Sequence, residues 1–465
     1  MNRYKKLVNN SLIFAVGNFG SKLMQFVMVP LYSYTLTTSE FGKTDIITTM
    51  VSLLSPLIGF EIFDGVFRFA MDKRENKSKV LSTGLLLTIF VSIITIMVSP
   101  ILKMYIKGYY ISLTTILLIC TLIYSLISNY IKAIGYSKKF AVAGIINTFI
   151  MVILNVVLLY YLKLSVFGYL LSMILGLTVA TIYLLNTKGV LSDIRISMFD
   201  RTLAKRMLIY SIPLIPNALS WWLNSASDRM FILAFVGVSA NGLYAMANKI
   251  PNALNMVNSI FFQSWQISAI EEYENSDAEA FISEIFELFI SLLVICSVII
   301  LILIKPLFWK LINRAYYSGW RLTPIILWSL IYSSLAGFLG TIYTANKRTN
   351  KILLTTAFGA IVNVVASIVL IHLFNIYGAA LANTLSFFGV LALRYYDLHA
   401  DHKVSFNTEK VLLIHIVYLG YSLLLLTVDS YLIVFVSGLI SILIVFLLSS
   451  KNLKKIMTNL KKDVK

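Results

Sequence analysis

From one end to the other the chain is built of apolar blocks of roughly 20 residues joined by short polar segments. Each block is long enough to cross a hydrocarbon layer about 30 Å thick. Backbone in such a layer finds no water to bond, so blocks of this length must satisfy their own hydrogen bonds as helices. The pattern predicts an all-α polytopic membrane protein with about fourteen transmembrane spans. They fall at about 8–36, 43–70, 80–102, 110–134, 141–162, 167–186, 207–234, 242–268, 281–304, 323–344, 352–373, 378–396, 410–428 and 431–450. Over 465 residues the composition is 58% hydrophobic and 13% charged, with a mean hydropathy of +0.84. Blocks this closely spaced leave no room for a soluble catalytic domain. Cys120 and Cys296 fall inside spans and carry no disulfide framework.

The first block follows Met1-Asn-Arg-Tyr-Lys-Lys6, runs to about Leu36 and carries Asn18, Lys22 and Gln25. That polarity marks it as a retained span, not a cleaved leader. The formal charge of +18 does not indicate nucleic acid, because its placement is that of an orientation signal. With the amino terminus inside, the inner segments collect Arg3, Lys5, Lys6, the cations of 73–79, 138–139, 188–206 and 347–351, Arg394, Lys403, Lys410 and the tail lysines. The outer segments keep about eight, so both termini are expected in the cytoplasm.

Two halves resemble one another. Ser39-Glu-Phe-Gly42 has a counterpart in Ser239-Ala-Asn-Gly242, and Lys139…Asn155-Val-Val in Lys347…Asn363-Val-Val; Gly168 and Gly378 then open the sixth and twelfth spans. Six spans per copy imply two lobes of like orientation, related by a pseudo-two-fold axis along the membrane normal; chance similarity among apolar segments is the competing reading. The expected organisation is a first lobe at 1–190, a cytoplasmic linker at 191–206, a second lobe at 207–400, two appended spans at 401–450 and a basic cytoplasmic tail at 451–465. The tail has an apolar helical face suited to the inner leaflet, or is simply solvated.

Ionisable groups inside spans cost about 2.5–3.5 kcal/mol each at the helix centre, so each needs a partner, water or a task. The first span carries Asn18, Lys22 and Gln25 at helical spacing, with Lys22 near mid-depth. The second carries Glu61, Asp64 and Arg68 at i, i+3, i+7, and the fourth ends on Asn129 and Lys132. The seventh opens on Pro213 and Pro216, which should kink it, then shows Asn217, Trp221, Asn224 and Asp228 along one face with Arg229 beside them. In the eighth, Asn248, Asn252, Asn255, Ser259, Gln263 and Gln266 recur at steps of three and four, with Lys249 adjacent. Such stripes cannot face lipid and together predict a cationic, amide-rich cavity whose ligand is an anion.

Each group also has a structural reading. Asp64 with Arg68, and Asp228 with Lys249, are spaced to neutralise each other. Lys132 and Arg68 lie near enough to the inner surface to snorkel; Lys22 lies too deep for that. Asp397, His399, Asp401 and His402 sit in an inner segment where charges are ordinary, so no metal is expected there. Glu284 and Glu287 at the start of the ninth span complement its dipole.

The chain resembles the Wzx-like oligosaccharide flippases of the polysaccharide-exporter branch of the multidrug/oligosaccharidyl-lipid/polysaccharide (MOP) exporter superfamily. The likeness rests on Val29-Pro-Leu-Tyr32, Leu36…Ser39-Glu-Phe-Gly42, Arg68 closing the second span, and Pro213-Leu-Ile-Pro216-Asn…Trp221-Trp222…Asp228-Arg229…Gly242-Leu-Tyr244. It covers essentially the whole chain. The resemblance implies two lobes around a central cationic cavity and transfer of undecaprenyl-pyrophosphate-linked repeat units from the inner to the outer leaflet of a bacterial plasma membrane, for capsule, O-antigen or exopolysaccharide assembly. Under it, Lys22, Arg229 and Lys249 hold the pyrophosphate, with Arg68 and Lys132 nearer the inner side. Asn18, Gln25, Asn224, Trp221, Asn252, Asn255, Ser259 and Gln263 meet sugars. Glu61, Asp64 and Asp228 are its candidates for proton or sodium coupling.

The expectation is therefore a transporter, not an enzyme. It has no cofactor and no nucleic-acid partner; it works with membrane lipids, a lipid-linked oligosaccharide and other polysaccharide-assembly membrane proteins. The competing readings are a cation-coupled multidrug exporter and a membrane glycosyltransferase or polysaccharide polymerase.

Overall fold

The computed structural model describes residues 24–462 apart from 25, 73, 106–109, 188, 273–277, 346–347 and 402–403. The chain divides into compact units, Leu23–Arg229 and Met230–Lys465.

In the first unit, helical residues 26–35 (α1) lead into α2 (Thr38–Ile58). Thr37 and Glu40 form a capping box there: the Glu40 N–H donates to the Thr37 hydroxyl at 3.2 Å, and the Thr37 N–H to the Glu40 carboxylate at 2.9 Å. The Ser165 hydroxyl donates to the same carboxylate, tying this corner to α7 (Ser165–Leu185). The expected second span is broken. α2 stops after Pro56, Phe60 and Glu61 adopt left-handed backbone at φ 51° and 50°, and α3 (Ile62–Met71) departs at 56°. α4 (Lys77–Tyr105), α5 (Ile111–Ala133) and α6 (Ser137–Asn155, extended by a wider turn over Val156–Tyr161) complete the set. Ile62, Val66, Leu81, Leu126, Tyr130 and Met207 form one core, and Ile47, Val51, Leu117, Leu118, Val166 and Leu170 another.

The 191–206 segment is pinned to this unit and does not hang free. It comprises a single turn (α8, Val190–Asp193) and the start of α9 (Arg201–Ser211). α10 (Ile215–Phe235) follows after the Ile212–Leu214 turn. Its residues belong to the first unit as far as Arg229.

In the second unit, the eighth span is interrupted at Ile250–Pro251 into α11 (Val238–Lys249) and α12 (Asn252–Glu272). α13 (Ala278–Leu311) and α14 (Thr323–Ala345) meet α12 in a stack of Phe261, Trp265, Phe289 and Phe338, where Trp265 also donates to Thr341 at 2.7 Å. α15 (Thr349–Phe374) and α16 (Ile376–Ala400) come next. The appended helices, α17 (Thr408–Thr427) and α18 (Tyr431–Lys462), dock on α13. Glu287 of α13 accepts from the Asn407 N–H at 2.9 Å and from Lys410 at 2.8 Å, and Lys305 donates to the Val428 carbonyl at 3.0 Å. A carboxylate thus holds the amino end of α17 and an ammonium its carboxyl end, each matching the helix dipole. Glu287 sits in the third turn of α13, and this clamp replaces the dipole role expected at the start of that span. α18 continues as helix through 431–462, beyond the expected end at 450.

Among the described residues ten helices are long and apolar enough to span, or eleven counting the bent α2–α3 pair. The expected fourteen and these eleven differ at three places. The first span lies mostly outside the described residues; the seventh and eighth exist as helices but are too polar, or too short once broken, to pass as apolar spans.

The internal repeat recurs as packing. In the first unit, Asn155 of α6 is fully buried, donates to the Tyr32 hydroxyl at 3.0 Å and accepts from Ser172 of α7 at 2.8 Å. In the second, the fully buried Asn363 of α15 donates to Asn383 of α16 at 2.6 Å, which reaches the Tyr244 hydroxyl at 3.4 Å. Tyr130 of α5 donates to Asp193 at 2.9 Å and Tyr343 of α14 to Asp397 at 2.8 Å, from helices in corresponding positions of the two sets. Gly168 and Gly378 lie where a Cβ would meet the backbone of the preceding helix, at Leu158 and Leu370. A side chain at Gly378 would overlap the Leu370 backbone, and one at Gly168 would press on Leu158 at 3.1–3.2 Å.

Candidate functional site

Two polar clusters lie within the first unit. At the end of α10 the Arg229 guanidinium is held between carboxylates, with Nε 2.9 Å from Asp45 of α2 and Nη1 3.2 Å from Asp228. The Asp228 side chain is 2% exposed, and those of Arg229 and Asp45 are 17% and 15% exposed. Two turns earlier, the Trp222 indole N–H lies 3.2 Å from both the Thr49 carbonyl and the Ser52 hydroxyl, so α10 is fastened to α2 twice. Asp45, one turn beyond Gly42, is a member of this cluster that the sequence reading did not single out. The signal that could have found it is an acid among the first residues of an apolar span. Asp228 pairs with its neighbour Arg229 and lies in the same cluster as Asp45.

The second cluster surrounds the α2–α3 break. Glu61 is 6% exposed, and its Oε2 has no hydrogen-bond partner among the described residues. The left-handed backbone turns this side chain inward where a regular helix would carry it around to the next face. Asp64 is half-buried on α3 and within the field of Lys132 of α5. Lys132 lies over the Phe67 and Phe140 rings at 5.2 and 5.7 Å, a cation–π arrangement at an exposed position. Arg68 is exposed and forms no ion pair with Asp64 among the described residues.

In the second unit Lys249 closes α11, half-buried, and the polar stripe of the eighth span passes across the Pro251 break. Asn255 donates to Asn252 at 3.0 Å, and the Ser259 hydroxyl to the Met256 carbonyl at 2.9 Å. Asn18, Lys22 and Gln25, and the side chains of Trp221, Asn224 and Gln263, lie outside the described residues.

Arg394, counted above among inner-segment charges, is instead 6% exposed inside α16. It donates to Thr355, Thr356 and the Ala336 carbonyl at 3.0, 3.0 and 2.6 Å, binding α14, α15 and α16 together. Asp397 is engaged by Tyr343 and Lys351, and Asp401 by Arg348, so these acids serve the helix ends of their own unit.

The sequence matches the family described as polysaccharide biosynthesis protein over residues 7–267, more than half of the chain. The chain belongs to this family. Its fold is similar to that of lipid II flippase MurJ in an inward closed conformation, with a TM-score of 0.66 at 14% identity, covering 95% of this chain and 99% of that one. It is also similar to a multidrug resistance MATE family transporter of the MOP superfamily. The inward-facing conformation gives a TM-score of 0.59 at 13% identity, covering 82% of this chain and 98% of that one. The outward-facing conformation gives 0.58 at 13%, covering 86% and 96%. Comparison with curated proteins finds no match. The chain is thus a multi-pass membrane protein of a polysaccharide-biosynthesis family, with a fold similar to those of MurJ and a MATE transporter.

Proposed function

We propose that the protein flips undecaprenyl-pyrophosphate-linked oligosaccharide repeat units from the inner to the outer leaflet of the plasma membrane, supplying capsule, O-antigen or exopolysaccharide assembly. The observation that carries this reading is the joining of a polysaccharide-biosynthesis sequence to a transporter fold. A pathway that builds its repeat unit on a lipid at one face and polymerises it at the other needs such a step. The lobes 1–190 and 207–400 rock about a central site, with both termini in the cytoplasm. Lys22, Arg229 and Lys249 hold the pyrophosphate, Arg68 and Lys132 attract it at the inner side, and the Asn, Gln, Ser and Trp stripes meet the sugars.

The carboxylates around Arg229 give this reading a mechanism. A guanidinium bracketed by Asp45 and Asp228 is preformed and oriented, and an arriving pyrophosphate competes with Asp45 for it, so substrate binding and release of α10 from α2 become one event. Glu61, buried and lacking a partner on one oxygen, is suited to take up a proton or a cation. That places it first among Glu61, Asp64 and Asp228 for coupling to a proton or sodium gradient. No cofactor is required, and contact with other polysaccharide-assembly membrane proteins would deliver and remove the substrate.

In cells, Lys22→Ala or Arg229→Ala abolishes surface polysaccharide while the protein stays in the membrane; undiminished polymer would count against the assigned roles. A multidrug exporter is the second reading, favoured by one observation: the Asp45–Arg229–Asp228 cluster carries two negative charges to one positive. Efflux of an organic cation that depends on Asp45 and Asp228, with polysaccharide unaffected, would establish it instead.

A further inference from the structure

Between the last helix of the first six and α9, the 190–205 stretch has an inner and an outer side of opposite character. Its inner side is fixed. Val190, Leu203 and Ala204 are buried, the Asp193 carboxylate accepts from Ser78 at 2.6 Å and Tyr130 at 2.9 Å, and the Ser82 hydroxyl bonds the Asp193 carbonyl at 2.9 Å. The Asp200 N–H donates to Thr83 at 3.2 Å, and its carboxylate caps α9 at the Leu203 N–H at 3.0 Å. Both acids of the stretch are therefore engaged with the protein itself.

Its outer side presents what is left. Leu191, Ile196 and Phe199 are 57%, 80% and 44% exposed, although none lies in a spanning helix. Interleaved with them are the exposed cations Arg195, Arg201 and Lys205, which have no carboxylate within ion-pair distance among the described residues. Large apolar side chains among unpaired cations, on a segment tied down through Asp193 and Asp200, suit a surface that is both greasy and negative.

We propose that this segment is a platform binding the anionic phospholipid headgroups of the cytoplasmic leaflet. Leu191, Ile196 and Phe199 enter the acyl boundary, and Arg195, Arg201 and Lys205 pair with phosphates. The pinned inner side transmits that attachment to α4 and α5. The proposal rests on the cytoplasmic placement of this segment and is independent of what the protein transports. The test is hydrogen exchange of the full-length protein in nanodiscs of phosphatidylcholine alone or with phosphatidylglycerol. Backbone exchange over 190–205 should slow by about tenfold in the anionic discs, and the triple variant Arg195→Gln, Arg201→Gln, Lys205→Gln should lose that difference while keeping its melting temperature. Equal exchange in the two lipids overturns the proposal, as does a difference that survives in the variant. Inorganic phosphate reproducing the slowing in phosphatidylcholine discs also overturns it, since that would mark a soluble-anion site. Should the variant unfold, Ile196→Ser supplies the same comparison with every cation retained.

Discussion

At the residue scale the decisive feature is charge placed where lipid would otherwise be. Arg229 and Asp45 lie 184 residues apart, and no periodicity in one chain can join them, which is why the sequence shows the guanidinium and not its partner. Asp45→Asn removes a carboxylate from a half-buried cation, and Arg229→Gln removes the cation that these two acids share. In a double-mutant cycle on detergent-solubilised protein the coupling should be about 1–3 kcal/mol, measured from unfolding midpoints; additivity would show that the pair adds nothing to stability. Asp200 offers a simpler case. The Leu203 N–H, foremost, with Lys79 and the Thr202 N–H, holds its carboxyl below the ordinary aspartate range. The depressed value means that its stabilising contribution is present at neutral pH and is lost only as pH falls through it, below about pH 4. Asp200→Ala should lower the melting temperature at pH 7 through the lost helix cap, with the difference vanishing in acid.

At the element scale, most of what the sequence foretold concerns helices and most of what it missed concerns their interruptions. Apolar length identified the spans because bilayer thickness sets it. The repeat was legible in Asn155 and Asn363 because both units use a buried amide at the same place to fasten the fifth helix to the sixth. The break at Glu61 was not legible: Pro56 is tolerated inside α2, and the left-handed residues are Phe60 and Glu61, side chains that rarely adopt that backbone. The Arg394 clasp was hidden similarly, since a basic residue near a span end looks like a loop charge until three helices close on it. Asn155→Leu leaves the Tyr32 and Ser172 hydroxyls without their shared partner and should destabilise by about 2–3 kcal/mol, with Asn363→Leu costing a similar amount. Unfolding of each variant in the same detergent compares them, and a large cost at one asparagine alone would argue that the two clasps are not equivalent. Glu287→Ala removes the carboxylate at the amino end of α17 and should raise hydrogen exchange in its first turn without changing α16.

At the scale of the whole molecule, the account joins an anion-handling site to a gradient. If Glu61 is the coupling group, Glu61→Gln abolishes the response of transport to an imposed proton or sodium gradient while downhill transfer continues; a variant that still responds removes Glu61 from that role. The identity of the proposed sugar was never legible, because the polar stripes proposed to meet it lie on several helices whose mutual geometry one chain's periodicity does not carry. The most direct test is reconstitution of the purified protein into liposomes carrying a fluorescent undecaprenyl-pyrophosphate oligosaccharide, with inner and outer label separated by a membrane-impermeant quencher. The account predicts transfer between leaflets by the wild type, none by Lys22→Ala or Arg229→Ala, and recovery of the lipid-linked sugar with unchanged mass. Transfer at the protein-free rate, or a sugar chain altered in length, would contradict it.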